Sequence, residues 1–357
     1  MTASTGVAFF EIAGRRIGPG YPTYVVAEMS ANHNHQFDHA VRVVEAAKAA
    51  GADAVKLQTY TADTITLNSR DEIFQVPDGT LWTGKTLYEL YQEAQTPWDW
   101  QPRLKEIANA LGLACFSSPF DFTAVDFLEK MDVPAYKVAS FEMLDLPLVQ
   151  YMARTGKPII MSTGMATLPE IAEAVEAARA AGARQLALLK CTSAYPAPPE
   201  EMNLAAIPFL AQTFGTVVGL SDHTLTNESA LASVALGACI IEKHFTLRRA
   251  DGGPDSAFSL EPQEFKGLVD GIRVVEKALG ERRFAPTAKE AGNRHFRRSL
   301  FVTRAVKAGE RFTPDNVRSV RPGLGLAPRH YHDVLGRAAT RDIAPNTPLA
   351  WSMVGDA

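Results

Sequence analysis

The chain has 357 residues, 46% hydrophobic and 21% charged, an ordinary globular composition long enough for one large core and a small second domain. A net charge of −4 argues against a nucleic-acid binder, no apolar run approaches a membrane span, and residues 1–16 have neither the basic start nor the apolar stretch of an export signal. The expectation is a cytoplasmic protein with no membrane partner, whose three cysteines, Cys115, Cys191 and Cys239, lie reduced and buried in apolar strand-like runs.

Residues 9–17 read as a short hairpin. Apolar strand runs and amphipathic helical runs then alternate. Strands are predicted at 24–27, 54–57, 113–116, 135–139, 158–161, 186–191, 217–220 and 238–242. Helices are predicted at 38–50, 100–111, 122–131, 146–155, 168–181, 203–214, 227–236 and 262–279. Eight strands, each followed by a helix, is the count of an α/β fold of the (β/α)8 TIM-barrel type. Thr167 and Glu170 form a capping box, and glycines such as Gly51, Gly112 and Gly215 follow helical runs where a C-terminal cap is required.

Residues 60–97 are too long for an ordinary strand-to-helix connection; with a helix at 86–94 and aromatic residues including Trp82, they are expected to cover the barrel mouth. The barrel is assigned to 1–281, a linker to 282–295, and a loop-rich, Pro- and Gly-marked small domain to 296–357. That last segment carries 10 Lys and Arg against 5 Asp and Glu, whereas the rest of the chain is acidic. Solvated surface accounts for this division, and it also allows the tail to dock on an acidic rim.

Every predicted strand ends in a polar cluster, the side of this architecture that carries chemistry. In chain order the clusters hold Glu28 and Asn32; Lys56 and Gln58; Ser117 and Ser118; Lys137, Ser140 and Glu142; Ser162 and Thr163; Thr192, Ser193 and Tyr195; Ser221, Asp222 and His223; and Glu242, Lys243 and His244. Strand alternation puts Lys56 on one face with Gln58, Cys191 with Ser193 and Tyr195, and Gly219 with Ser221 and His223. His223 and His244 end successive strands and form a candidate metal site, the alternative being two satisfied polar side chains. The lysines and hydroxyls suit a small phosphate or carboxylate, although barrel rims also use Lys–Glu pairs for structure.

Several motifs together resemble the sialic acid synthase family, which condenses phosphoenolpyruvate with an acetamido sugar. They are Ala27-Glu-Met-Ser-Ala-Asn-His-Asn, Val55-Lys-Leu-Gln-Thr, Phe116-Ser-Ser-Pro-Phe-Asp, Tyr136-Lys-Val-Ala-Ser-Phe-Glu, Met161-Ser-Thr-Gly-Met-Ala, Cys191-Thr-Ser-Ala-Tyr-Pro, Gly219-Leu-Ser-Asp-His-Thr, Glu242-Lys-His-Phe-Thr and Gly253-Pro-Asp-Ser. The stretch Arg321-Pro-Gly-Leu-Gly-Leu is similar to the family's C-terminal antifreeze-like (SAF) domain. Ser193, where many N-acetylneuraminate synthases carry Asn, and the run from Gly253 to Pro262 look more like the pseudaminic acid synthase branch.

The resemblance implies that Lys56, Lys137, Ser140, Ser162, Ser193 and Ser221 hold phosphoenolpyruvate, and that His223 and His244 hold a divalent metal, Mn2+ before Mg2+ or Co2+. It further implies that Glu28, Tyr195, Asp255 and Arg321 contact the sugar, with Gln58 beside them, and that Glu142 is the carboxylate near the reacting carbons. It also implies a domain-swapped homodimer in which Arg321 reaches the partner's barrel. Two other readings start from the same residues. One is a metal-independent Schiff-base aldolase using Lys137 or Lys243; the other is a non-enzymatic sugar-binding protein.

Overall fold

The computed structural model describes residues 9–356. The hairpin pairs β1 (Phe10–Ile12) antiparallel with β2 (Arg15–Ile17). Its turn residues Ala13 and Gly14 have φ of 49° and 79°, the left-handed pair that matches strand twist in a two-residue turn. Eight parallel strands follow: β3 (Tyr24–Glu28), β4 (Ala54–Thr59), β5 (Ala114–Pro119), β6 (Tyr136–Val138), β7 (Ile159–Ser162), β8 (Leu186–Cys191), β9 (Val217–Asp222) and β10 (Ile240–His244). They pair in chain order, and β10 closes on β3 to form the expected TIM barrel. Because helices cover the outside and side chains fill the inside, these strands are apolar on both faces and read in the sequence as runs rather than alternations.

Helices α1 (Phe37–Ala49), α2 (Ala62–Ile65), α3 (Leu87–Ala94), α4 (Gln101–Ala110), α5 (Phe122–Lys130), α6 (Leu146–Arg154), α7 (Leu168–Ala180), α8 (Ala206–Phe214), α9 (Glu228–Ala235) and α10 (Pro262–Leu279) follow in order. The Thr167–Glu170 capping box forms at the start of α7. At the lower end of the barrel the interior is closed by packing. A Cβ on Gly219 would lie 2.2 Å from the Ile240 carbonyl and 2.6 Å from Leu189, so only glycine lets β9 pass there.

Several strands run one or two residues beyond their predicted ends, so Glu28, Gln58, Ser221 and His244 belong to the strands themselves. The parallel ladder continues through these polar residues because each faces a neighbouring strand. His244 registers with Glu28, Glu28 with Lys56, and Glu242 with Ser221.

The chain divides after Gly280 into two compact units. The second has its own core of Leu300, Val302, Phe312, Val317, Val334, Ile343 and Leu349 around a three-stranded antiparallel sheet. Its strands are β11 (Ser299–Val302), β12 (Val317–Val320) and β13 (Thr347–Pro348), with β11 central. The segment read as a linker, 282–295, is partly structured: Thr287 caps a helical turn at Ala288–Ala291, and a 3-10 turn at Gly292–Phe296 follows. Arg321 is exposed just past β12 in this unit. Among the described residues no helix is long and apolar enough to cross a membrane.

Candidate active site

The C-terminal mouth of the barrel opens into a cavity of about 750 Å³. Lys56, Lys137, Ser140, Ser162, Cys191, Ser193, Ser221, Glu242 and both histidines line its floor and sides. They come from six different strands and the turns after them, which is why residues up to two hundred positions apart converge.

Charge organises the floor. The Lys56 ammonium lies 3.1 Å from Glu28 on one side and 3.1 Å from Glu242 on the other. Burial opposes its charge, yet the pull of Glu242 and Glu28 outweighs burial and holds Lys56 above the ordinary lysine range. Lys137 donates to Ser162 Oγ at 2.6 Å and stands 3.9 Å from Glu242. With that weaker compensation, burial dominates and pushes Lys137 down to about 8. Glu242 also accepts from Ser221 Oγ at 3.2 Å, and the two lysines hold it below the usual carboxylate range despite burial. Burial drives Glu28 the other way, upward.

On the opposite wall, Ser193 donates to Ser140 at 2.9 Å. Gly164, with φ 45°, makes room for that pair, since a Cβ would stand 2.4 Å from Ser140 Cβ and 3.0 Å from Ser193 Oγ. Glu142 sits on a 3-10 turn after β6, with its Oε2 buried and lacking a hydrogen-bond partner among the described residues. Burial pushes its carboxyl up to about 7.

The histidine rings lie 5.4 Å apart, a spacing that lets one nitrogen of each reach a common ion. His223 Nδ1 donates to the Thr192 carbonyl at 2.8 Å, which leaves Nε2 as the ligand nitrogen. His244 Nδ1 is buried without a partner, and burial together with His223 keeps the ring neutral, the form that binds metal. Among the described residues no group of three His, Cys, Asp or Glu could hold an ion, so an ion on this pair would leave its other positions to water or substrate. The residues present fit an open divalent site rather than a structural one.

The aromatic upper wall comes from loops. Tyr195 lies 4.4 Å from His223, and Phe258 lies 4.9 Å from His244, centroid to centroid. The long segment after β4 adds Val76, Leu81, Trp82, Leu87, Leu90 and Tyr91, as expected of a cover.

Most of the residues singled out in the sequence meet in this cavity, including Gln58, Tyr195 and Asp255. Glu28 does not line it. It is fully buried, bonded to Gln58 at 3.0 Å and paired with Lys56. Lys243, one candidate nucleophile, is also outside the cavity, bound to Asp222 at 2.6 Å and to the Thr224 and Thr226 carbonyls. Cys191 is buried as expected, but it also lines the cavity, where burial raising its thiol is outweighed by His223 drawing it down. Phe258 was not singled out in the sequence; Glu242 was placed in a strand-end cluster and Trp82 in the covering segment, neither with a role of its own, although the alternation of Glu242 with His244 on β10 puts both on one face.

A closed parallel barrel with lysines, hydroxyls, a free carboxylate and a histidine pair gathered at one mouth defines a (β/α)8-barrel enzyme acting on a small anionic substrate. The chain belongs to the NeuB family, whose model matches residues 43–284, and an SAF domain is matched at 297–355. It is 45% identical to the pseudaminic acid synthase of Helicobacter pylori, covering 92% of this chain and 97% of the relative. It is 35% identical to the N,N'-diacetyllegionaminic acid synthase of Legionella pneumophila, covering 94% and 96%. Among solved structures, the N-acetylneuraminic acid synthetase of Leptospira borgpetersenii superposes with a TM-score of 0.72 at 29% identity, covering 80% of this chain and 95% of that one.

Proposed function

We propose that this chain is a pseudaminic acid synthase, condensing phosphoenolpyruvate with open-chain 2,4-diacetamido-2,4,6-trideoxy-L-altrose and releasing phosphate by C–O cleavage. The observation that carries this reading is the 45% identity to the Helicobacter pylori enzyme of that name along nearly the whole chain. Lys56 and Lys137, with Ser140, Ser162, Ser193 and Ser221, hold the phosphate and carboxylate through charge-assisted hydrogen bonds. Tyr195, Gln58 and Asp255 orient the sugar so that its aldehyde carbon lies against the methylene carbon of phosphoenolpyruvate. His223 and His244 would hold a divalent ion, Mn2+ with Mg2+ or Co2+ as substitutes, which would supply Lewis acidity toward the sugar's carbonyl. By resemblance, the active form is a domain-swapped homodimer in which Arg321 of one copy serves the sugar of the other.

Formation of the carbon–carbon bond leaves positive charge at the second carbon of phosphoenolpyruvate. Water adds there and gives its first proton to Glu142; the hemiketal then collapses to the ketone, its second proton leaving with phosphate, which departs with the bridging oxygen, while the sugar oxygen is protonated from solvent. Because Glu142 works as a carboxylate, it is inactive when protonated. Turnover is therefore expected to fall about tenfold per pH unit below about 7, and this limb is expected to vanish in Glu142→Gln at a much lower rate. A pH–rate profile unchanged by that substitution would remove Glu142 from the proton transfer.

Mass spectrometry of the products from phosphoenolpyruvate, Mn2+ and each candidate sugar tests the function. A nonulosonic acid from the trideoxy-altrose alone is expected, with a heavy-oxygen label at the bridging position recovered in phosphate. Product only from an N-acetylmannosamine-type sugar would assign the chain to the neuraminate or legionaminate branch instead.

A further inference from the structure

Among the described residues, the tip of the segment that covers the cavity is joined to the rest of the chain by one side chain. Residues 77–84 form the tip of the long segment after β4, closed at its base by the Val76 amide on the Lys85 carbonyl at 2.9 Å. Every residue of this tip is exposed except Trp82. Thr80 and Thr83 hydrogen-bond within the tip, to each other and to the Pro77 carbonyl. Among the described residues, the single hydrogen bond joining the tip to the rest of the chain is from Trp82 Nε1 to the Pro254 carbonyl, at 2.7 Å.

The location of that bond matters. Pro254 precedes Asp255, whose carboxylate is anchored on the other side by Ser30 Oγ. The Trp82 ring stands 5.9 Å from Tyr195 and 6.4 Å from Phe258, and these two rings in turn stand against His223 and His244. A single aromatic layer therefore separates the indole from the histidine pair. Beyond that layer, Trp82, Leu81 and Val76 line the same cavity with an apolar surface that cannot satisfy a hydroxyl.

We propose that Trp82 is a sugar-positioning residue: latched to the Pro254 carbonyl, it closes an apolar wall that receives the terminal methyl group of the acceptor, and it steadies the loop carrying Asp255. This inference rests on the acceptor-sugar reading above. The acceptor class it selects is an acetamido sugar ending in a methyl group rather than a hydroxymethyl group.

Two substitutions separate its parts. Trp82→Phe keeps a ring and loses the donor, and Trp82→Ala loses both. The KM for the trideoxy sugar is expected to rise about fivefold in the first, the loss of one neutral hydrogen bond, and further in the second, with the KM for phosphoenolpyruvate held within about twofold in both. The preference for the methyl-ended sugar over N-acetylmannosamine is expected to shrink about tenfold in Trp82→Ala. Unchanged sugar KM, or a parallel rise for both substrates, would overturn the inference. A wild-type control distinguishes the two levels: product from wild type with an unaffected Trp82→Phe sinks this inference alone, whereas no product from wild type sinks the function on which it rests.

Discussion

His223→Ala is expected to lower turnover by about a thousandfold while changing the affinity for phosphoenolpyruvate by less than about twofold. Only two protein nitrogens converge here, and among the described residues no third ligand stands by to compensate. Removing one imidazole leaves a single nitrogen, His244, already buried and lacking a partner at Nδ1. The groups proposed to hold phosphate and carboxylate are Lys56, Lys137 and the serines, whose mutual bonds do not pass through His223. Metal content of the purified variant, its turnover, and calorimetric titration with phosphoenolpyruvate check the three parts separately. An intact rate would remove the histidine pair from the chemistry.

Lys56→Ala is expected to damage both stability and binding. The ammonium is almost fully buried between Glu28 and Glu242, so truncation leaves Glu28 without a counter-charge and Glu242 with only Lys137, 3.9 Å away. Breaking a buried pair in this way costs about 3–5 kcal/mol, which for a domain of this size is a fall of about 10 °C in Tm. Phosphoenolpyruvate affinity should collapse as well. A double variant separates the two roles. Lys56→Met with Glu28→Gln removes the ammonium and the carboxylate that has no other cation, leaving Glu242 to Lys137, and is expected to recover most of the lost Tm while leaving binding impaired. Recovery of both would make Lys56 purely structural, the ion-pair role that barrel rims also use.

Much of the fold was legible because its signals are local. The doubly buried strands appear as short apolar runs, the helices as amphipathic stretches with Thr167–Glu170 at one start and glycines at the ends, and none of these depends on distant residues. Strand ends were placed short for a physical reason. A polar residue stops an apolar run, but the ladder in a closed barrel goes on as long as the neighbouring strand offers a partner, as His244 does for Glu28.

The candidate site was legible as a list and not as an arrangement. Position on the chain placed Glu28, Lys56, Lys137, Ser221, His223 and Glu242 at one rim, because parallel strands end together. It could not separate Glu28 from Glu142, both carboxylates near strand ends. Glu28 turns down onto Lys56 and Gln58, whereas Glu142, carried on a turn past β6, keeps an oxygen without a partner in the cavity wall. Position on the chain placed Trp82 in the segment covering the mouth but did not give its part there, which depends on a carbonyl 172 positions away.

The sequence by itself therefore determined the barrel, the inventory of charged and hydroxyl groups at its mouth, and the family to which they correspond. The tertiary structure alone decided which of those groups face each other and which face the cavity. Periodicity and capping act within a few residues, but the balance between burial and opposite charge that holds Lys56 above its ordinary range and pushes Lys137 below it is set by Glu28 and Glu242, strands that meet only when the barrel closes.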